Sequence, residues 1–275
     1  MNSKKYEISD EELCRIQEIQ RELIREVQRI CKKNNIHFGM VGGTMLGAIR
    51  HHGYIPWDDD ADIGFLRSEY EKFREACKTD LDQERFYIQD LRDTEGYRWG
   101  YGKLRRKGTT FLRLNQEFMP YEQGISIDLM PFDNVPDNEI QRRIHFFRCF
   151  LYRKIFWSEV GKTTEKNRFI RFIYKLLNLI PLNFVINSYQ KFIDKGQKRL
   201  TKLVRILTFP TPKHVYGYKR EWYTNLAIYK FDDLKLPGAR DYDGYLKVKY
   251  GDYMKMPPEN KRKVHPVSKL ELLRK

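Results

Sequence analysis

Residues 40–66 read MVGGTMLGAIRHHGYIPWDDDADIGFL and combine a glycine turn, a short helical pattern and a run of acids. An apolar run over residues 36–41 leads into the turn, so Gly42 and Gly43 lie where a strand passes into a helix. The free N–H groups and positive dipole end of such a helix favour an anion, and a residue without a side chain allows close approach. The turn therefore predicts a phosphate site.

Four carboxylates follow within five positions: Asp58, Asp59, Asp60 and Asp62. Asp60 and Asp62 alternate with apolar residues as in a strand, so both side chains should project from one face, with Cα atoms about 6.5 Å apart. Such a pair can converge on divalent cations. A solvated acidic loop is the alternative, but the apolar neighbours predict partial burial, which is costly for an unpaired carboxylate. A metal site beside a phosphate site indicates chemistry on a phosphate ester.

The composition is that of a folded and strongly basic protein. Of the 275 residues, 41% are hydrophobic and 14% are aromatic, which excludes a disordered chain. The 52 Lys and Arg outnumber the 37 Asp and Glu, and the formal net charge is +15. A surplus of that size indicates a polyanionic partner, which is nucleic acid, an anionic membrane surface or a phosphate-rich substrate.

The cysteines and the N-terminal sequence bear on localisation. Cys14, Cys31, Cys77 and Cys149 form no C-x-x-C pair and have no His at zinc-ligand spacing, so we expect isolated, reduced thiols. The first residues, MNSKKYE, contain no apolar segment of the kind found in a signal peptide. We therefore expect a cytoplasmic protein.

Periodicity predicts the elements on either side of the glycine turn. Residues 9–34 begin with a capping box and continue as an amphipathic helix, and residues 68–78 form another helix. Residues 86–89 and 97–105 alternate as aromatic-rich strands. These elements predict a sheet covered by helices.

Two strands carry further charged candidates. Lys103 and Arg105 lie two positions apart and should share one face, where they are suited to neutralising a diphosphate; a surface pair on a basic protein is the alternative. Asp128 is a lone acid inside the apolar strand of residues 124–133. Because a structural role for this carboxylate is hard to find, we predict that it is a third metal ligand.

Residues 138–205 differ in character from the rest of the chain, because basic residues alternate there with bulky aromatic and aliphatic ones. No 18-residue stretch is both apolar and uncharged, so we expect no transmembrane helix. Two interpretations stay open, a basic segment lying in a membrane interface or a helical subdomain with ordinary core faces. We predict a catalytic core over 1–137, this basic helical segment over 138–205, and an aromatic part over 206–275 that completes the catalytic domain.

Three motifs together carry a family resemblance. Residues 41–64 (VGGTMLGAIRHHGYIPWDDDADIG), 126–133 (SIDLMPFD) and 250–258 (YGDYMKMPP) resemble the signature of the LicD family of phosphocholine transferases, to which the fukutin-related proteins are more distantly similar. The resemblance covers nearly the whole chain outside the basic segment. It implies an α+β fold with a nucleotidyltransferase-like core, in which helices flank a mixed sheet.

The resemblance also assigns roles to individual residues. The family pattern is a glycine turn, an acid-x-acid pair on one strand and a third acid on the next strand. Gly42 and Gly43 match the turn, Asp60 and Asp62 match the pair, and Asp128 matches the third acid. The three aspartates are thereby implied to be catalytic and to hold two Mg²⁺ or Mn²⁺ ions. The other aspartates of the acidic run receive no role.

The implied reaction moves phosphocholine from CDP-choline to a sugar hydroxyl of a bacterial surface glycan, such as teichoic acid or lipopolysaccharide, and releases CMP. Lys103, Arg105 and the amides of Gly42, Gly43 and Thr44 would hold the diphosphate, and one carboxylate of the trio would take the hydroxyl proton. The same motifs fit transfer of phosphoethanolamine or ribitol phosphate.

Choline adds a requirement that aromatic side chains can meet. A quaternary ammonium donates no strong hydrogen bond and is usually held by aromatic faces, for about 0.5–2 kcal/mol per ring. Trp99, Tyr101, Trp222 and Tyr223 are the candidates.

The acceptor glycan is either free or lipid-linked. If it is attached to a lipid carrier, an enzyme docked on the anionic surface through residues 138–205 would find it by a two-dimensional search. This predicts a peripheral location on the inner face of the plasma membrane.

Two other functions fit part of the pattern. A template-independent nucleotidyltransferase shares the glycine turn and the paired acids and would use its basic charge to bind RNA. The long segment between the turn and the acids counts against it, so we expect no nucleic-acid partner. A non-catalytic membrane-surface or RNA-binding protein would tolerate loss of the acids, yet Asp60, Asp62 and Asp128 are all present.

Overall fold

The computed structural model describes residues 5–262 and 264–273, so the expectation about the N-terminal sequence lies partly outside it. In chain order, the elements are α1 (Asp10–Lys33), β1 (Gly39–Met40), α2 (Gly42–Arg50), β2 (Asp62–Leu66), α3 (Arg67–Asp80), β3 (Phe86–Gln89), β4 (Gly102–Arg106), β5 (Thr110–Arg113), β6 (Ser126–Val135), α4 (Glu139–Thr164), α5 (Arg168–Asn178), α6 (Leu182–Gln197), β7 (Leu203–Arg205), β8 (Tyr218–Lys219), α7 (Glu221–Thr224), β9 (Leu226–Phe231), β10 (Leu234–Ala239), α8 (Tyr242–Tyr250) and β11 (Val267–Glu271).

A mixed sheet forms the centre of the fold. Its strand order is β3-β4-β6-β2-β1-β10-β9, and β7 pairs with the end of β6 and with β8. Strands β2 and β6 run parallel, as do β1 and β10, whereas the other neighbours in this order are antiparallel. Strands β11 and β5 form a separate antiparallel pair. Helices pack on the sheet, which confirms the predicted α+β class with a mixed sheet flanked by helices.

The first helix begins and ends almost where the sequence predicts. The Ser9 hydroxyl accepts the Glu12 N–H at 3.2 Å, and the Glu12 carboxylate accepts the Ser9 N–H at 2.9 Å, which completes the capping box. The apolar face is fully buried at Leu23, Ile24 and Val27. The helix therefore packs on the core, as its amphipathic pattern indicates.

The acidic segment differs from its prediction in one respect. Strand β2 begins at Asp62, so Asp60 lies in the preceding loop and the two acids do not share a strand. The side-chain amides of Gln17 and Gln20 on α1 donate to the carbonyls of the two aspartates before Asp60, at 2.9 and 2.8 Å. Side-chain bonds thus hold the backbone of the loop immediately before Asp60.

Two predicted strands are shorter in the structure. The run at residues 36–41 contributes only Gly39–Met40 to the sheet, and α2 already includes both glycines of the turn. Residues 97–101 are not a strand, because the Tyr97 N–H bonds to the Thr94 carbonyl at 3.1 Å and its hydroxyl bonds to the Tyr101 carbonyl at 3.0 Å. This segment folds back on itself before β4 begins. The predicted helix 68–78 and strand 86–89 are confirmed.

The basic segment folds as the three helices α4, α5 and α6, and its last three residues form β7. The inner faces of α4 and α6 bury Cys149, Phe156, Val185 and Tyr189 in one hydrophobic cluster that also contains Tyr97. Ordinary core faces are therefore present, while the outer faces of α4 and α5 are exposed. The proposed three-part division of the chain stays a prediction.

Within residues 5–262 and 264–273, no single helix is long and apolar enough to span a bilayer. Helices α5 and α6 together have the length and apolar composition of a span, with a bend of 85° between them.

Close packing at the centre of the sheet gives a stability prediction. A Cβ added at Gly64 would lie 2.5 Å from Val41 Cγ1 and 3.0 Å from Phe132 Cε2. We expect Gly64→Ala to lower the free energy of unfolding by about 1–3 kcal/mol, measured by urea denaturation, because the buried neighbours cannot move freely. Gly196→Ala on α6 is the control, since its Cβ meets only Asn134 O at 3.9 Å. Equal losses in the two variants would contradict this packing.

Candidate active site

One row of charged side chains crosses three neighbouring strands. Lys103 on β4 pairs in register with Asp128 on β6, and Asp128 pairs in register with Asp62 on β2. Residues opposite one another on adjacent strands project from the same face of a sheet. The Lys103 ammonium contacts Asp128 Oδ1, and both side chains are 11% exposed. Burial lowers the pKa of Lys103, although Asp128 opposes the shift. Lys103, predicted to bind the diphosphate, and Asp128, predicted to bind the metal, thus form a buried ion pair.

The glycine turn lies at the start of α2 and packs closely against two aspartates of the acidic run. A Cβ at Gly42 would lie 2.6 Å from Asp62 Oδ2, and one at Gly43 would lie 2.9 Å from Asp58 Oδ2. The Thr44 hydroxyl accepts the Asp62 N–H at 2.7 Å. The missing side chains therefore make room for carboxylates at the positive end of a helix, where negative charge is stabilised.

Two residues of α8 reach the same place. The Tyr245 hydroxyl accepts the Gly42 N–H at 2.9 Å, so this amide of the predicted phosphate site is already bonded. Lys249 Nζ would be 3.3 Å from a Cβ at Gly42, and its charge favours the ionised form of Asp62. Sequence reasoning missed both residues, whose only signal is their position next to the motif at 250–258. Phosphate binding by Gly42, Gly43 and Thr44 stays a prediction.

Burial and mutual repulsion both act on the carboxylates of the acidic run. Burial, together with the charge and hydrogen bond of Asp60, raises the pKa of Asp58 to about 9. Burial and the charges of Asp60 and Asp128 hold the pKa of Asp62 well above its ordinary value. A divalent cation would relieve this repulsion, so the charge and the oxygen chemistry of these side chains fit such an ion.

Although the chemistry of these acids suits a divalent cation, their arrangement is not that of a closed metal site. Within residues 5–262 and 264–273, no three His, Cys, Asp or Glu side chains are grouped so that they could hold a metal ion. The contact between Lys103 and Asp128 accounts for part of this, because the third predicted ligand already has a cationic partner. Metal binding by Asp60, Asp62 and Asp128 stays a prediction.

A residue from the C-terminal part binds the Asp59 carboxylate. Its carboxylate accepts the His265 N–H at 3.0 Å and lies 2.8 Å from His265 Nδ1. Burial works to raise the pKa of Asp59, but the hydrogen bonds from His265 and the charge of Arg113 hold it below its ordinary value. His265 Nδ1 is also 3.7 Å from Asp60 Oδ2, so an imidazole joins the site. Sequence reasoning missed it, because a single histidine before β11 gives no signal.

A cavity of about 470 Å³ opens beside this row of charges. Its lining includes acidic, basic and aromatic side chains: the acids Asp59, Asp60, Asp62 and Asp128, the bases Lys103, Arg105 and Arg113, and the aromatic residues Trp99, Tyr101, Phe111, Tyr121, Trp157 and Phe209. Among the described residues, those of the glycine turn do not line it. The structure therefore brings both members of the predicted basic pair together with all three predicted metal ligands.

Arg105 also serves the fold. Its guanidinium donates to Gln89 Oε1 and to the Gly124 carbonyl, both at 2.5 Å. These bonds hold the side chain between β3 and Gly124, two residues before β6 begins. Arg105 therefore presents a pre-oriented charge to the cavity, with less freedom than Lys103.

The four aromatic candidates for choline separate into two pairs. Trp99 and Tyr101 line the cavity, whereas Trp222 and Tyr223 line a different pocket. The Trp222 indole donates to Asp241 Oδ2 at 2.8 Å. The structure therefore does not bring the second pair to the cavity, because helix α7 packs it elsewhere on the sheet.

Two aromatic residues that sequence reasoning missed take the place of that pair. The ring of Trp157 on α4 lies 5.8 Å from that of Trp99, and the ring of Phe209 lies 5.1 Å from that of Tyr101, between centroids. Their only signal is membership of aromatic-rich segments, which most core residues share.

The crowding of the acids predicts a pH effect on stability. Between pH 3.8 and about 9, native Asp58 keeps a proton that the unfolded chain has released. Rising pH across this window therefore favours the unfolded state. In the presence of a chelator, we expect Asp58→Asn to gain stability over the wild type as pH increases from 5 to 8, as measured by urea denaturation.

The control for this prediction is Asp252→Asn, which removes an exposed carboxylate from the turn after α8. It controls for the loss of one negative charge alone. A stability difference between Asp58→Asn and the wild type that stays constant with pH would show that the acids do not repel one another in the native state.

Comparison with known proteins adds a family to this geometry. Residues 35–169 match the family model described as LicD/FKTN/FKRP, nucleotidyltransferase domain. The chain is 26% identical over 260 residues to the lipopolysaccharide cholinephosphotransferase LicD of Haemophilus influenzae, a match that covers 89% of this chain and 92% of that protein.

Shorter matches connect the chain to two uncharacterised proteins. One of Rickettsia typhi is 36% identical over 72 residues, which cover 26% of this chain and 22% of that protein. One of Rickettsia prowazekii is 39% identical over 66 residues, which cover 24% of this chain and 23% of that protein. The resemblance carried by the three motifs is thereby confirmed, and residues 35–169 form a domain of the LicD family.

Proposed function

We propose that this protein transfers phosphocholine from CDP-choline to a sugar hydroxyl of a bacterial surface glycan, a lipopolysaccharide or teichoic acid precursor, and releases CMP. Similarity to a lipopolysaccharide cholinephosphotransferase over 89% of the chain supports this reaction class, and the matching domain supports a nucleotidyltransferase-like core. The observation that carries the proposal is the single cavity in which acidic, basic and aromatic side chains meet. The donor needs all three, for its counter-cation, its diphosphate and its quaternary ammonium.

The diphosphate would be held by the basic side chains of the cavity. Lys103 and Arg105 stand two positions apart on β4, and Arg113 lines the same space. Charge-assisted hydrogen bonds from such groups to phosphate oxygens are the strong ones. The amides of the glycine turn would contribute less, since the turn does not line the cavity within the described chain.

Asp60, Asp62 and Asp128 would hold Mg²⁺, or Mn²⁺ in its place. When bound, the ion supplies positive charge at the phosphate oxygens and lowers the pKa of a coordinated hydroxyl. Asp128 is paired with Lys103 here. A diphosphate that recruits the Lys103 ammonium would release the Asp128 carboxylate, so donor and metal sites would form together.

The transfer itself exchanges one P–O bond for another. The sugar hydroxyl oxygen attacks the phosphorus that carries choline, and the bond from this phosphorus to the bridging oxygen breaks. CMP leaves with that oxygen and its electron pair. The hydroxyl proton passes to one carboxylate of the trio.

Choline would lie against the aromatic part of the cavity. Trp99 and Trp157 form one tilted pair and Tyr101 and Phe209 another, with centroids 5.8 and 5.1 Å apart. Indole and phenol faces attract a quaternary ammonium through their quadrupoles. This arrangement favours phosphocholine over ribitol phosphate, which carries no cation. We propose that the reaction takes place in the cytoplasm, on a free or lipid-linked glycan.

Calorimetric titration with CDP-choline tests the donor and the metal site together. We expect CDP-choline in Mg²⁺ to bind at least about tenfold more tightly than CTP or CDP-ribitol. Removal of Mg²⁺, or the substitution Asp62→Ala, should weaken binding by about tenfold or more, because the diphosphate then faces uncompensated carboxylates. Asp252→Ala, which removes an exposed acid, should bind like the wild type.

Equal affinity for CTP and CDP-choline would contradict the proposal and favour a nucleotidyltransferase that acts on RNA. Binding that ignores both Mg²⁺ and Asp62 would contradict the metal site while leaving the donor in place.

Substitution of an aromatic residue tests the choline site by itself. Trp99→Leu should weaken CDP-choline about 2- to 30-fold, because one cation–π contact of about 0.5–2 kcal/mol is lost. Binding of CDP, which shares the diphosphate and lacks choline, should be unchanged. Trp222→Phe is the matched control, since Trp222 lies in a different pocket. Parallel losses for CDP and CDP-choline would mean that Trp99 only supports the fold.

A further inference from the structure

The helical hairpin, defined as α4, α5 and the turn at 165–167, has an outer face that the rest of the described chain leaves uncovered. On α5, four apolar side chains recur at helical spacing and are between 38% and 71% exposed: Phe169, Phe172, Ile173 and Leu176. On α4, four more recur with exposures between 39% and 71%: Ile140, Ile144, Phe147 and Leu151. Apolar residues in such number on a surface mark an interaction site.

The same hairpin is strongly basic. Between residues 139 and 179 the sequence has ten Lys and Arg against three Glu. Arg168 and Lys175 are exposed on α5, beside its apolar stripe. Bulky apolar side chains on one face with basic residues around them are typical of helices that lie in the interface of an anionic bilayer. A second copy of this chain is a poorer partner, because a symmetric contact would bring like charges together.

The hairpin also forms part of a second cavity, of about 530 Å³. Arg153, Lys154, Trp157 and Tyr174 contribute to it from α4 and α5. Four aromatic residues line both this second cavity and the cavity of about 470 Å³ described above: Trp99, Tyr101, Trp157 and Phe209. The two spaces are therefore neighbours that share an aromatic wall.

The chemistry of the second cavity suits an anionic carbohydrate. Arg153 and Lys154 can pair with phosphate, and the indole of Trp157 offers a flat apolar face. Among the described residues, Thr208 Oγ1 is buried without a hydrogen-bond partner, although it belongs to the lining of this cavity. A buried hydroxyl without a partner is costly and would be satisfied by a polar ligand.

We propose that the hairpin docks on an anionic bilayer surface and holds the second cavity at that surface, where it receives the phosphate-bearing end of a lipid-linked glycan. The identity of the entering molecule rests on the proposed function; the docking does not. An acceptor held there would lie beside the aromatic wall, next to the cavity of about 470 Å³ that is proposed to bind the donor.

Vesicle co-sedimentation of the full chain tests the docking. The probes are vesicles of phosphatidylcholine alone and with about 30% phosphatidylglycerol, in about 0.15 M salt. We expect the anionic vesicles to bind at least about tenfold more tightly. The double variant Phe169→Asp and Phe172→Asp should lose about tenfold or more on them, and Arg168→Glu with Lys175→Glu should lose preference for anionic lipid.

Ile228→Asp is the matched control, because Ile228 is 64% exposed on β9, outside the hairpin. It should bind vesicles within about twofold of the wild type. Circular dichroism and the CDP-choline titration, run on every variant, establish that the fold and the donor site are intact.

Absence of binding to anionic vesicles by the wild type would overturn the docking, as would equal losses in the hairpin and control variants. A wild-type dimer that the Phe169 and Phe172 substitutions dissociate, without vesicle binding, would also overturn it and assign the face to a second copy. Vesicle binding without CDP-choline binding would uphold the docking and refute the proposed function alone.

Discussion

Repulsion among buried carboxylates is the constraint to which much of this molecule responds. The acids at 58–62 occupy one short segment, and each neighbour either makes room for them or supplies opposite charge. Gly42 and Gly43 leave space at the positive end of a helix. His265 contacts the Asp59 carboxylate through its backbone N–H and its imidazole, from the far end of the chain, and Lys249 places its ammonium near Asp62. Such compensation explains how the segment stays folded while it still presents negative charge to a cavity.

The sheet converts this local arrangement into a site. Because β4, β6 and β2 are adjacent and in register, a lysine and two aspartates from three distant parts of the chain form one row. The ion pair between Lys103 and Asp128 then joins the basic and acidic regions of the cavity. In the proposed function, a diphosphate with its Mg²⁺ counter-ion would exchange partners with that pair, and recognition of the donor would then be coupled to assembly of the metal site.

The basic helical segment belongs to this machinery. Its inner face shares a hydrophobic cluster with Tyr97, and its Trp157 lines both cavities. The family model also extends through α4 into the start of α5. The segment therefore has a packed inner face that shapes the cavities and an exposed outer face with apolar and basic side chains.

Local signals in the sequence determined the long first helix, the acidic run, the lone acid of β6 and the family, since capping, periodicity and motifs depend on residues close along the chain. They did not predict that Asp60 lies before the strand, that residues 97–101 fold back on themselves, or that Trp222 lies away from the cavity. Nor did they reveal His265, whose role depends on a contact across more than two hundred positions. Those features were decided by tertiary packing, because side chains that bond or crowd a segment from elsewhere in the fold override its own periodicity.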